Sequence, residues 1–242
     1  MRRSPAVGRP VANAKVGLDV AQAPLQQIRV VLIDHHPLIR HSLKQLIDSQ
    51  PHMKVSAEVS DARKGLDAAL RLKPHLICVA ISLKGGANGI AFIKNIKGLL
   101  PDTRILVISM HQESLYAFRA LRAGAHGYLM KQEAIKKVLE AIQVVTGGGI
   151  YLSEELRQRV ILHLVEGGEL AESPIDMLSD RELEILQLIG EGMMPKEIVS
   201  QLNISAKTVD SHKANICRKL NLPNHAELAR FATTWAAREG AC

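Results

Sequence analysis

Four short stretches of this 242-residue chain end an apolar run at a position where chemistry is usually placed. "VLIDHH" ends on Asp34, His35 and His36, "RILVIS" on Ser109, and "HGYLMK" carries Tyr128 and ends on Lys131. The fourth, "LICVAISLKGGANG", ends its run on Ala80, whose methyl group has no chemistry to offer. Carboxylate, imidazole, hydroxyl and ammonium groups are those that hold metal ions and anions. His35, His36 and His111 raise the idea of a transition-metal or small-ligand site. Adjacent residues at a strand end point in different directions, so the spacing predicts no shared metal and no cofactor is assigned. With no nucleophile–base pair and no phosphate-cradling loop in view, the chain is not read as an enzyme.

The elements that must carry these groups alternate in period. Short apolar runs at 28–33, 53–59, 75–80, 103–109 and 126–130 are each followed by a helix-period segment, at 37–49, 61–72, 89–99, 111–122 and 132–146. Five such pairs predict an α/β domain: a five-stranded, doubly wound parallel sheet covered on both faces. In such sheets ligands sit beyond the carboxyl ends of the strands, where Asp34, Ala80, Ser109 and Lys131 fall. "TGGGIYLS" breaks the pattern, 153–166 reads as a connecting helix, and "EGGELAESP" reads as a flexible linker. Strand signals then stop. Four helical segments, near 179–191, 195–202, 205–220 and 224–238, predict an all-α domain, opened by a Ser179/Glu182 capping box.

Bulk properties limit the function. The net charge is +7, yet residues 176–242 hold eight Lys/Arg and nine Asp/Glu, a net of 8 − 9 = −1. Any case for a polyanionic partner must rest on a local patch. Three cysteines, Cys78, Cys217 and Cys242, have neither disulfide nor metal-binding spacing, which suits a reducing cytoplasm. No apolar run approaches a membrane span. Residues 1–27, with Arg2, Arg3, Arg9 and Lys15 against Asp19, read as a disordered tail.

These motifs carry a resemblance. Residues 28–146 resemble a response-regulator receiver domain, 147–175 a linker with its connecting helix, and 176–238 a LuxR-type helix-turn-helix. Together they are similar to a two-domain regulator of the NarL/FixJ family. A receiver of that family carries an acidic pair after its first strand and a phosphoacceptor Asp after its third. A hydroxyl ends the fourth strand and a Lys the fifth. On that pattern "VLIDHHPLIR" keeps Asp34 and puts His35 where the second acid belongs. Ala80 falls on the phosphoacceptor position if "ISLKGGANG" contains one inserted residue, and Ile81 falls there if it does not. Ser109, Tyr128 and Lys131 match the remaining switch positions. A methyl group accepts no phosphoryl and an imidazole is a poor Mg²⁺ ligand. Control independent of aspartyl phosphorylation is therefore expected. Lys131 is expected to pair with Asp34, and a small-molecule effector in the pocket is a further reading.

In the second domain "PKEIVSQLNISAKTVDSHKA" has the order helix, turn, helix, with Ser205 able to cap the second helix. On a 100° wheel Val209, Ile216 and Leu220 face inward, and Lys207, Asp210, Ser211, Ala214 and Arg218 face outward. Lys207, Lys213, Arg218 and Lys219 stand against Asp210 alone, which supplies the local basic patch. Such a face suits entry into a DNA major groove. The resemblance points to the same positions. Lys207, Thr208, Lys213, Arg218 and Lys219 are assigned to phosphates, Asp210, Ser211 and Ala214 to base edges, and His212 to either role. Met194 stands where the family has a Ser or Thr cap, so a weakened short helix is expected. Leu228, Phe231 and Trp235 form a stripe that the resemblance makes a dimerisation surface.

The expected function is DNA-binding transcription regulation, as a homodimer on promoter half-sites. The alternative is a modulator that heterodimerises with an intact response regulator through the 111–146 region.

Overall fold

A computed structural model describes residues 27–165 and 174–239. The expected tail and most of "EGGELAESP" lie outside the described residues.

The first domain alternates strand and helix in chain order: β1 (Ile28–Ile33), α1 (Pro37–Asp48), β2 (Met53–Val59), α2 (Ala62–Leu72), β3 (Leu76–Val79), α3 (Gly89–Leu99), β4 (Arg104–Ser109), α4 (Glu113–Ala123), β5 (Gly127–Met130) and α5 (Ala134–Thr146). All pairings are parallel, in the order β2-β1-β3-β4-β5. Side chains along each strand alternate between two cores, as the period of two requires. Val30, Leu32, Leu76, Cys78, Leu106 and Ile108 meet Leu43 and Ile47 of α1 and Val138 and Ile142 of α5. Val31, Ile33, Ile77, Val79, Ile105 and Val107 meet Ile93 and Ile96 of α3 and Ala117 and Ala120 of α4. The sheet is thus covered on both faces, which explains why its inner strands β1, β3 and β4 read as nearly continuous apolar runs. Burial pushes the Cys78 thiol up to about 12, so it is an inert core group.

Beyond α6 (Glu154–Val165) and a 3₁₀ turn at Pro174–Met177 comes an all-helical domain: α7 (Asp180–Gly190), α8 (Pro195–Leu202), α9 (Ala206–Lys219) and α10 (His225–Glu239). Leu183, Leu186, Ile198, Leu202, Val209, Ile216, Leu228 and Ala232 form its core. The capping box at Ser179 is present: the hydroxyl accepts from Glu182 N–H, and the Glu182 carboxylate accepts from Ser179 N–H at 2.7 Å. Met194 offers no side-chain cap to α8. Glu197 partly replaces it, its carboxylate accepting from Met194 N–H at 2.6 Å, and Pro195 presets the first turn.

The two domains touch. Their cores run together through Ile81, Leu83, Tyr116 and Leu178. Gly86, at φ +73°, leaves no room for a side chain, since a Cβ there would lie 1.7 Å from the Leu202 carbonyl oxygen.

Candidate functional sites: the strand-end pocket and the helix-turn-helix face

The strand ends converge as predicted. Asp34 follows β1 and is buried. Its Oδ1 accepts from His36 N–H at 2.9 Å, and its Oδ2 lies 2.5 Å from Lys131 Nζ. The Lys131 ammonium is itself only 3 % exposed and also contacts His36 Nδ1 at 3.1 Å. The expected Lys131–Asp34 pair is therefore present and buried. Ala80 lies beside it at the end of β3, buried, its N–H donating to Ile33 O at 2.9 Å. Ser109 ends β4, and its hydroxyl accepts from His111 N–H at 3.2 Å. Tyr128 is fully buried and donates to His111 O at 2.8 Å, and burial raises its hydroxyl well above the usual range.

The histidines behave differently from the expectation. His35 and His36 do not diverge: their ring centroids are 3.7 Å apart, and one donor atom each of Asp34, His35 and His36 falls within 4.8 Å of the others. The turn into α1, where His36 is the N-cap, bends the chain and brings successive side chains to one side. The alternation that separates them holds only within a strand, and β1 ends at Ile33. His35 Nδ1 also donates to Ser82 O at 2.9 Å. Burial lowers the His35 pKa, and the neighbouring His36 and Lys131 lower it further, against Ser82 and Asp34.

A cavity of about 670 Å³ opens over these groups, lined by His35, Ala80, Ser109 and Lys131 below and Glu184 and Gln187 above. Its roof belongs to the helical domain. The Ser82 hydroxyl donates to the buried Glu184 carboxylate at 3.1 Å and lies 2.8 Å from His111 Nε2. His111 Nδ1 is 3.2 Å from Gln187 Oε1, which also accepts from Tyr116. Burial lowers the His111 pKa, with Glu184 opposing. Arg119 of α4 donates to the Leu178 carbonyl at 2.6 Å and to the Ile175 carbonyl at 2.9 Å. Arg119, Glu184 and Gln187 escape the sequence reading, and Ser82 enters it only as part of the strand end that opens at Ala80. Each is an ordinary polar residue whose partner in the other domain lies 56 or more positions away, so no local spacing marks it.

In the second domain Asn203 at φ 50° makes the turn after α8, and Ser205 caps α9 by accepting from Thr208 N–H at 3.0 Å. Lys207, Asp210, Ser211, Ala214 and Arg218 are exposed along one side of α9, while Val209 and Ile216 are buried. The receiver touches α7 at Glu184 and Gln187 and the end of α8 at Leu202, and these α9 residues stay exposed. Lys213 is half-buried at their flank.

Three assigned residues have other partners here. Lys219 pairs at 2.6 Å with the buried carboxylate of Glu182, so it fastens α9 to α7. Burial would raise the Glu182 pKa, but Lys219 and Ser179 outweigh it and hold the carboxyl below its ordinary value. The Thr208 hydroxyl lies 2.8 Å from that of Ser205 and supports the cap. Leu228 is fully buried inside its own domain and cannot form part of an outer surface; Phe231 and Trp235 are half-buried beside it. Burial lowers the His212 pKa, with Glu182 opposing, and its Nδ1 is buried without a hydrogen-bond partner. Among the described residues no helix is long and apolar enough to cross a membrane.

A doubly wound parallel domain with polar strand ends, joined to a capped helix-turn-helix with an open basic face, defines a two-domain response regulator. The comparisons place it more closely. Residues 30–143 match the response regulator receiver domain, and 176–232 match the bacterial regulatory proteins of the luxR family. Over 209 residues, 85 % of this chain and 96 % of the other, it is 32 % identical to the oxygen regulatory protein NreC of Staphylococcus carnosus. It is 33 % identical over 203 residues to a nitrate/nitrite response regulator protein homolog of Haemophilus influenzae, covering 84 % and 94 % of the two chains. Among solved structures, the RcsB response regulator of Salmonella typhimurium is similar at 25 % identity and TM-score 0.60, over 86 % of this chain and 98 % of that one. A LuxR-family two-component response regulator from Aurantimonas is similar at 29 % identity and TM-score 0.53, over 57 % and 99 %. The chain belongs to the LuxR-type response regulators, a family of DNA-binding transcription regulators.

Proposed function

We propose that this protein binds promoter DNA through α9 as a homodimer, and that aspartyl phosphorylation does not control it. One observation carries the second half: at the end of β3, lining the same cavity as Lys131, stands Ala80. A methyl has no lone pair with which to attack a phosphoryl donor. His35 in place of a second acid weakens Mg²⁺ binding at the same point. Lys131, which would otherwise answer a new phosphate, is already neutralised by Asp34.

The first half rests on α9. Its exposed side presents cations and short polar groups with no bulky side chain between them, and the receiver does not cover it. Contacts from Lys207, Lys213 and Arg218 would fall mainly on phosphates and fix the register, and Asp210, Ser211 and Ala214 would meet base edges. Regulators bearing this motif bind paired half-sites as dimers, for which Phe231 and Trp235 of α10 remain the candidate contact.

The test is retardation of genomic promoter fragments by the full chain at near-physiological salt. Arg218→Ala and Lys213→Ala should weaken binding on every fragment, and each should lower the salt slope by about one unit. Unchanged binding in both variants would move the interface elsewhere. Retardation seen only when an intact response regulator is added would favour the heterodimeric modulator.

A further inference from the structure

We propose that Asp34, His35 and His36 form a binding site for a divalent transition-metal ion of the zinc, cobalt and nickel class. The proposal concerns what the receiver pocket senses and stands independently of the reading above.

The donor set comes first. One carboxylate and two imidazoles are poor company for Mg²⁺, which demands oxygen, and good company for zinc, cobalt and nickel. One donor atom from each residue falls within 4.8 Å of the others. Zinc bonds of about 2.0–2.2 Å place neighbouring ligands roughly 3.3 Å apart around a tetrahedral ion. Asp34 Oδ1 lies 3.0 Å from His36 Nδ1, close to that edge, and the His35 ring lies 3.7 Å from the His36 ring, centroid to centroid. Small side-chain rotations would close the set.

The second argument is the shell behind the donors. A carbonyl oxygen can only accept, so the contact of His35 Nδ1 with Ser82 O, at 2.9 Å, fixes the proton on Nδ1. The lone pair is then on Nε2. A metal-binding histidine is commonly oriented in this way, by donating its other N–H to a backbone carbonyl. Asp34 is likewise held, by the N–H of His36.

A cation already touches two of the three residues. The Lys131 ammonium contacts both Asp34 Oδ2 and His36 Nδ1, so an incoming metal competes with it for the same carboxylate. The outcome would travel onward. Ser82, which orients His35 through its carbonyl, holds Glu184 of the helical domain through its hydroxyl. Loading the site would therefore act on the contact that joins the receiver to the DNA-binding domain.

The experiment uses the full chain, first stripped with chelator, then titrated with Zn²⁺ by calorimetry and with Co²⁺ by absorption spectroscopy. The expected result is about one equivalent bound, with cobalt d–d bands and no competition from excess Mg²⁺. His35→Ala and His36→Ala should each weaken binding at least tenfold, while His41→Ala, which alters an exposed histidine outside the cluster, should bind normally. Lys131→Met removes the competing ammonium and should tighten binding. Affinity within about twofold of the unaltered protein in both His35→Ala and His36→Ala would overturn the proposal, as would a chain that takes up no metal.

Discussion

Replacing Lys131 with Met tests whether the strand-end pocket is locked by its own ion pair. Asp34 and Lys131 side chains are 7 % and 3 % exposed and meet at 2.5 Å. Removing one partner of a buried pair leaves an uncompensated charge and costs about 3–5 kcal/mol. Asp34 keeps the His36 N–H at 2.9 Å and a contact with the His36 ring at 3.0 Å, so the lower end, about 3 kcal/mol, applies. At roughly 3–4 °C per kcal/mol in a domain of this size, the receiver's Tm should fall by about 10 °C. The double change Asp34→Asn with Lys131→Met leaves no buried charge and should recover all but about 1 kcal/mol. Urea unfolding of the unaltered protein, Lys131→Met, Asp34→Asn and the double variant closes the cycle. A single-variant loss below about 1 kcal/mol, or a double variant as unstable as the sum of the singles, would refute the lock.

Three further outcomes follow from other contacts. The His126 ring accepts from Ile105 N–H and lies near Lys97 and Arg104; burial first, then those cations, lower its pKa to about 4. The unfolded chain therefore binds the extra proton first as the pH falls below about 6.5, and receiver stability should drop between about pH 6.5 and 4. His126→Asn should flatten that slope in unfolding titrations, and an unchanged slope would assign it to other groups. Gly86→Val drives a side chain into the Leu202 carbonyl. Hydrogen exchange should then quicken both at 82–88 and at 200–204, whereas a change confined to 85–87 would mean that the loop does not join the domains. Lys219→Ala leaves the buried Glu182 carboxylate without its counter-charge, held by the Ser179 N–H, and should destabilise the helical domain by about 1–3 kcal/mol. Arg218→Ala, at an exposed residue whose guanidinium donates to Asn215, should leave stability within about 0.5 kcal/mol.

The fold was legible because its signals are local. β1, β2, α3 and α8 span the predicted residues, and the other strand and helix ends fall within two residues of theirs. Apolar period, capping residues and turn glycines act over a few positions, and a single sequence displays them. The inward and outward sides of α9 were legible for the same reason. The reach of a flexible side chain was not: Lys219 turned inward to Glu182, which the wheel could not show. Nor was the domain contact, since Ser82 and Glu184 are 102 positions apart and nothing near either residue marks the other. The convergence of His35 and His36 was missed because it depends on where β1 stops and α1 turns, a difference of one or two residues.

Incubating the purified full chain with a small-molecule phosphodonor and Mg²⁺, then recording intact mass and promoter affinity on the same sample, addresses the central claim most directly. The account predicts an unmodified mass and an unchanged affinity for DNA. A phosphoryl adduct mapping to the receiver, together with tighter binding, would contradict it.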